Sequence, residues 1–307
     1  MLNSTQVLYF TLASYFDNGL FKYLYFMIVL SLYFLIIFAN VLLIVVICIN
    51  RSLHEPMYIF LCSLFVNGLY GSTGLFPSLL VQILSDTHII SASFCFLQIF
   101  LVYSYGSVEF LNLAIMSYDR YLAICYPLQY NTCMTFKKVA TFIAIIWLPP
   151  ILVNFFTLPL IVPLQLCGNV INKVYCDNYS IVKLACYDTT VNNIYGLVVS
   201  ALSVFGPLIL IIYTYMRIFI VCFSGSKQTR QKAVNTCTPH LISLLNFSSG
   251  ACFEILQSRF NMNSVPNSLR IFLSLYFLTC PPLFNPVMYG LKLSKIHSAC
   301  KNLISSY

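Results

Sequence analysis

Apolar residues in this chain come in long unbroken blocks, without the alternation of a half-buried strand or the one-sided stripe of a surface helix. Seven stretches contain no Asp, Glu, Lys or Arg: residues 23–50, 56–85, 87–108, 139–172, 189–216, 233–253 and 271–291. A helix needs about 20 such residues to cross a bilayer, and every block reaches that length. A membrane barrel would show short segments of alternating character instead. The pattern therefore predicts an all-α chain, a bundle of seven transmembrane helices. The third helix runs on toward Tyr121 if Glu109 and Asp119 are accommodated within it. After the seventh block, Leu291, Leu293, Ile296 and Leu303 alternate with Lys292, Lys295 and Lys301, which predicts a short amphipathic helix lying on the membrane surface.

Composition closes off the alternatives. Of 307 residues, 60% are hydrophobic and 8% charged, against roughly 25% charged in a soluble domain. So few charges could not cover a water-facing surface. In lipid, backbone groups must be satisfied internally, which long continuous apolar runs achieve only as helices. Residues 1–18 lack a basic start followed by an apolar core, so the first span is expected to act as its own insertion signal.

The basic residues orient the bundle. With seven spans, one side holds 11 Lys and Arg (Arg51, Arg120, Lys137, Lys138, Arg217, Lys227, Arg230, Lys232, Lys292, Lys295 and Lys301), and the other holds 5 (Lys22, Lys173, Lys183, Arg259 and Arg270). By the positive-inside rule the richer side is cytoplasmic. Residues 1–22 are then extracellular, 23–291 form the membrane domain, 292–307 are cytoplasmic, and the protein is expected in the plasma membrane. The net charge of +8 follows from this asymmetry and gives no sign of nucleic-acid binding. Asn3-Ser4-Thr5 is a glycosylation sequon on the expected outer side, and Asn178-Tyr179-Ser180 is a second.

Most of the 13 cysteines fall within apolar blocks and read as small packing residues. Cys95, Cys167, Cys176 and Cys186 differ, because they lie at the expected outer face, where disulfides persist. Four cysteines allow three connectivities, and the spacing does not choose among them. The expected pairing is Cys95 with Cys176 and Cys167 with Cys186, which would hold the loop as a lid over the bundle.

The most informative string is 116–130, MSYDRYLAICYPLQY, at the end of an apolar block. An Asp-Arg pair at a membrane edge is costly to place and marks a functional site by default, although helix-end snorkelling is the plainer reading. Asn40, Leu53-His54-Glu55-Pro56-Met57-Tyr58, the Asp119-Arg120-Tyr121 string, Pro207, Tyr215, Lys232-Ala233, Thr236-Cys237, His240-Leu241 and Asn285-Pro286-Val287-Met288-Tyr289 appear in that order. Together they resemble the rhodopsin-like G-protein-coupled receptors, and among these the odorant receptors, over nearly the whole chain. Residues 66–72 are closer to the fish-type branch than to the mammalian one.

The resemblance implies a small-molecule odorant and a heterotrimeric stimulatory G protein as partners, alongside the lipid bilayer. It implies no cofactor and no enzymatic activity. It assigns the switch to Asp119, Arg120, Tyr121, Tyr215, Asn285, Pro286 and Tyr289, with Asn285 placed to relieve the backbone freed at Pro286. Helical spacing back from Arg120 puts Leu113, Phe110, Gly106 and Tyr103 on nearly one face. Tyr103, Gly106, Ser107 and Phe110 are therefore pocket candidates, and similarity to the family adds Val199, Ser203, Cys252, Ile255, Leu275 and Thr279.

The chain departs from the family at two places. Asn67-Gly68 stands where many members carry an Asp, leaving Glu109 as the single carboxylate for a sodium site. The sixth span reads Asn246-Phe247-Ser248-Ser249 in place of the Phe-Tyr switch. Glu254, near the outer end of that span, could meet a cationic ligand or pair with Arg259. A non-olfactory receptor of the same class is the nearest alternative. The four histidines make no metal-ligand spacing. No internal repeat or charged path suggests a transporter or channel.

Overall fold

The structure is a computed structural model that describes residues 7–15, 19, 21–224, 227–259 and 265–305. Asn3 lies outside these, as do the side chains of Lys227, Arg230, Lys232, Arg259 and Leu303. Helix α1 spans Phe21–Ile49 and α2 Pro56–Leu84, joined through a 3-10 turn at Arg51–Leu53. Helix α3 is Ala92–Cys125, α4 a single turn at Tyr130–Cys133, and α5 Phe136–Ile161. Then come α6 at Asn178–Lys183, α7 at Thr190–Ser224, α8 at Lys227–Arg259, α9 at Asn267–Lys292 and α10 at Ser294–Ser305. The seven long helices α1, α2, α3, α5, α7, α8 and α9 form one bundle. Among the described residues, six of them are apolar enough along their length to cross a membrane. The remaining one, α8, begins with a polar, basic turn before its apolar part.

Local signals set the helix ends. The hydroxyls of Ser91 and Thr135 accept from the backbone of Phe94 and Lys138, capping α3 and α5. Pro56 occupies the first turn of α2, where its missing N–H is not needed.

The outer surface, like the core, is apolar, which sets the bundle apart from a soluble protein. Large apolar side chains such as Phe34, Phe38, Leu202, Phe205 and Ile209 are exposed on the outside. Asn40, Asn67, Glu109, Ser117, Asp119 and Thr214 are buried inside. Polar groups in a bilayer face the bundle interior and pair there. Helix α3 runs through the middle against α2, α5, α7 and α8. Glu109 on α3 accepts from Asn67 of α2 at 2.7 Å and Asn285 of α9 at 2.9 Å. Asn285 in turn accepts from Ser243 of α8 at 2.6 Å. One carboxylate thus ties four helices together.

Proline relief differs from expectation. Pro286 within α9 frees the carbonyl four residues back, that of Pro282. Asn40 of α1 donates to that oxygen at 2.8 Å. Asn285 is turned the other way, toward Glu109, because an amide donor is worth more on a buried carboxylate than on a neutral carbonyl.

The chain is not helical throughout. Strand β1 (Tyr9–Leu12) pairs antiparallel with β2 (Ile89–Ser91) and parallel with β3 (Val170–Ile171). Phe10 and Leu12 point inward onto Ile99, Ile161 and Ile171, making a small second core at this end of the bundle. Both disulfides are here, Cys95–Cys176 and Cys167–Cys186. The Cys176 amide also donates to Gln98 at 2.9 Å, so the loop is pinned to α3 twice.

One contact is tight enough to test. A Cβ on Gly71 of α2 would sit 2.4 Å from the ring of Tyr105, which is wholly buried. That ring is held by Phe247 and Phe277 and has nowhere to turn. Gly71→Ala is expected to destabilise by about 1–3 kcal/mol and to lower surface display. Gly206→Ala, whose Cβ would meet nothing within 4 Å, should not. Equal display and melting of the two variants in detergent would overturn the packing argument.

Candidate functional site

Two sites occupy opposite ends of α3. At the disulfide end, a cavity of about 180 Å³ opens between α3, α5, α7, α8 and α9 beneath the loop. Helical spacing on α3 brings Tyr103, Gly106, Ser107 and Phe110 to its wall. Helix α7 adds Val199 and Ser203, α8 adds Ile255, and α9 adds Phe277. Three predicted positions lie elsewhere. Cys252 is exposed on the outside of α8. Leu275 packs against the main core, and Thr279 is half-buried without reaching the cavity. Phe277 lies between them on the wall they were expected to form.

The loop contributes what sequence reasoning missed. Tyr175, Asp177 and Tyr179 all face the cavity. Lys173, deep in the same loop, reaches Glu254 at 2.5 Å, Ser258 at 2.9 Å and Asp177 at 3.5 Å. Glu254 therefore pairs with a lysine 81 positions earlier. Burial pulls the Lys173 ammonium toward neutrality, but Asp177 and Glu254 outweigh it and hold its pKa above the ordinary lysine value. The aromatic floor is continuous with the core. Phe110 meets Phe247 at 4.7 Å between centroids, and Phe247 meets Phe277 at 5.2 Å.

The second site lies about 25 Å along α3, at 1.5 Å per residue from Tyr103 to Arg120. Arg120 donates to Asp119 through both its Nε, at 3.0 Å, and its terminal nitrogen. Asp119 is fully buried, and its other oxygen accepts from Tyr130 at 2.7 Å. Burial and the adjacent Asp119 carboxylate push the Tyr130 hydroxyl well above the ordinary phenol range, so it remains a donor. Tyr130 is the last residue of the string that singled out Arg120, yet spacing alone gives no sign of its contact.

The remaining switch residues are gathered nearby. Tyr215 of α7 bonds His240 of α8, whose Nε2 lies 2.9 Å from the Leu113 carbonyl. A carbonyl only accepts, so Nε2 carries the proton and Nδ1 accepts from Tyr215. Tyr289 is fully buried, its hydroxyl beside Ser243 of α8 and its ring against Phe65. Tyr121 stacks edge-on with Tyr126. Asn285 and Pro286 stand between this group and Glu109, and both Glu109 oxygens are engaged by amides. Lys295 of α10 pairs with Glu55 at 2.6 Å, and Ile296 is buried against the bundle.

The family model for olfactory receptors matches residues 29–306. The chain is 31% identical to Olfactory receptor 6E1 of Mus musculus, the match covering 100% of this chain and 98% of that one. It is 33% identical to Olfactory receptor 11A1 of Homo sapiens, over 96% and 93% respectively. Among solved structures, squid rhodopsin superposes with a TM-score of 0.76 at 17% identity, covering 94% of this chain and 87% of that one, which is a likeness of fold.

Proposed function

The chain belongs to the olfactory receptor family, and on that premise we propose how its two ends divide the work of an odorant receptor. It is a multi-pass membrane protein that acts as a G-protein-coupled receptor, not an enzyme. The cavity under the disulfide loop takes the odorant, and the Asp119-Arg120 end engages a stimulatory G protein. The disulfide end then faces outward and residues 292–307 face the cytoplasm, in line with the excess of Lys and Arg near Arg120.

The observation that carries this reading is the separation itself. A mostly apolar cavity between helices has the character of a small-molecule site. The opposite end of the same helix holds an ion pair whose partners are all internal. Helix α8 connects them: Ile255 lines the cavity, Phe247 lies beneath it, Ser243 meets Asn285, and His240 meets Tyr215. A ligand that shifts Phe247 biases the inner contacts of α8, and only its preference between the two states matters.

The test is an odorant panel read as cAMP in cells supplying the olfactory-type stimulatory G protein. A dose-dependent rise that Phe110→Ala or Ser203→Ala weakens is expected. Ligand-gated current without any G protein would overturn the reading. A second expectation concerns Tyr130. A hydrogen bond to a charged group contributes about 1.5–3 kcal/mol, so Tyr130→Phe should raise ligand-independent cAMP about tenfold or more. Unchanged basal cAMP at equal surface display would remove Tyr130 from the latch.

A further inference from the structure

We propose that the cavity selects an organic cation, a compact apolar molecule ending in a primary ammonium group, and this rests on the cavity being the ligand site. Lys173, Asp177 and Glu254 meet under the loop and carry a net charge of −1 together. Their side chains are 7%, 3% and 14% exposed, so water compensates little of it. Lys173 offers three ammonium hydrogens, and three acceptors surround them: Glu254, Ser258 and Asp177. It has no donor left for an anionic ligand.

What remains unpaired points the same way. The second oxygen of Asp177 has no hydrogen-bond partner, and that of Glu254 has only the hydroxyl of fully buried Tyr175 beside it. All three residues line the cavity. A buried acceptor without a donor is expensive to maintain, and a charged donor is its strongest partner. A ligand ammonium supplies N–H groups to both oxygens and cancels the excess charge. Phe110 and Phe277 offer ring faces and apolar wall for the rest of the molecule. A carboxylic acid would meet two carboxylates and an occupied lysine. An alcohol could donate one hydrogen bond and would leave the charge in place.

The discriminating experiment uses the full-length receptor in lipid nanodiscs, its thermal unfolding followed with hexylamine, hexan-1-ol and hexanoate at neutral pH. Hexylamine should stabilise the receptor at a concentration about tenfold or more below that needed for the alcohol, and hexanoate should have no effect. Glu254→Gln and Asp177→Asn, each nearly isosteric, should each reduce the amine preference, and either one that folds suffices. Equal or better stabilisation by the alcohol or the acid, or no stabilisation by any of the three, would overturn the proposal. Stabilisation by the amine without a cAMP rise supports this ligand class while breaking the signalling reading. A cAMP response to the alcohol with no amine preference does the reverse.

Discussion

Arg120→Ala is expected to reach the cell surface in near-normal amounts and to lose ligand-evoked cAMP. The two effects separate because the pair contributes little net stability. Removing two charges from water offsets most of what their attraction returns. Asp119 also keeps the Tyr130 hydroxyl when the guanidinium goes, so its carboxylate stays hydrogen-bonded although its cation is lost. Arg120 is itself 14% exposed at its side chain and lies at the bundle edge. What the residue supplies is a cation that can leave Asp119 when the inner helix ends part. Moving such an equilibrium from 1:99 to 99:1 takes about 5.5 kcal/mol of differential affinity. Losing the group that stabilises the open state with its partner should remove the response altogether. Surface staining beside a cAMP dose-response separates the two readouts. A full response in this variant would sink the assignment of Arg120 as the output residue.

Cys95→Ser or Cys176→Ser is expected to be the most damaging change for stability. The bond joins residues 81 positions apart, and closing a loop of that size corresponds to about 4.5 kcal/mol in the chain-entropy treatment. Native stabilities run to about 5–15 kcal/mol, so this loss alone brings the fold near its limit. The bond also anchors β3 and the Tyr175–Asp177 segment, hence the cavity roof. Cys167–Cys186 spans 19 positions, for about 3 kcal/mol on the same treatment, and neither cysteine is next to a cavity-lining residue in the chain. Surface display and the melting temperature in detergent should therefore fall further for Cys95→Ser than for Cys186→Ser. Wild-type melting in Cys95→Ser would contradict this.

Legibility in the sequence follows the range of the interaction. Asp119 and Arg120 are neighbours in the chain, and their pairing was visible in the string. Tyr103, Gly106 and Phe110 share a helix face by spacing, and the cavity lies on that face. On α8 the charge that marks the inner side, Glu254, lies at the outer end of the span, and α9 has none at that depth. Cys252 faces outward, one position from Ala251, which lines the cavity. Leu275 and Thr279 flank Phe277 without sharing its direction. A helix that is apolar all round carries no stripe to say which way it turns. Glu254 was noticed as a charge near a span end, but its partner Lys173 came from a loop whose path only the disulfides set. Strand β1 was equally hidden, because its partners β2 and β3 are remote in sequence.

The sequence by itself determined that this chain lives in lipid, that it is a multi-pass helix bundle and where its ion pair stands. Each of those depends on composition or on residues within one helical turn of one another. Only the tertiary structure decided which side of each helix faces inward. It also decided that Asn40 rather than Asn285 relieves Pro286, and that Lys173 is buried against Asp177 and Glu254. The reason is physical: lipid tails and a packed bundle interior are alike to an apolar side chain. Rotation is therefore chosen by the few polar groups that must find one another across helices.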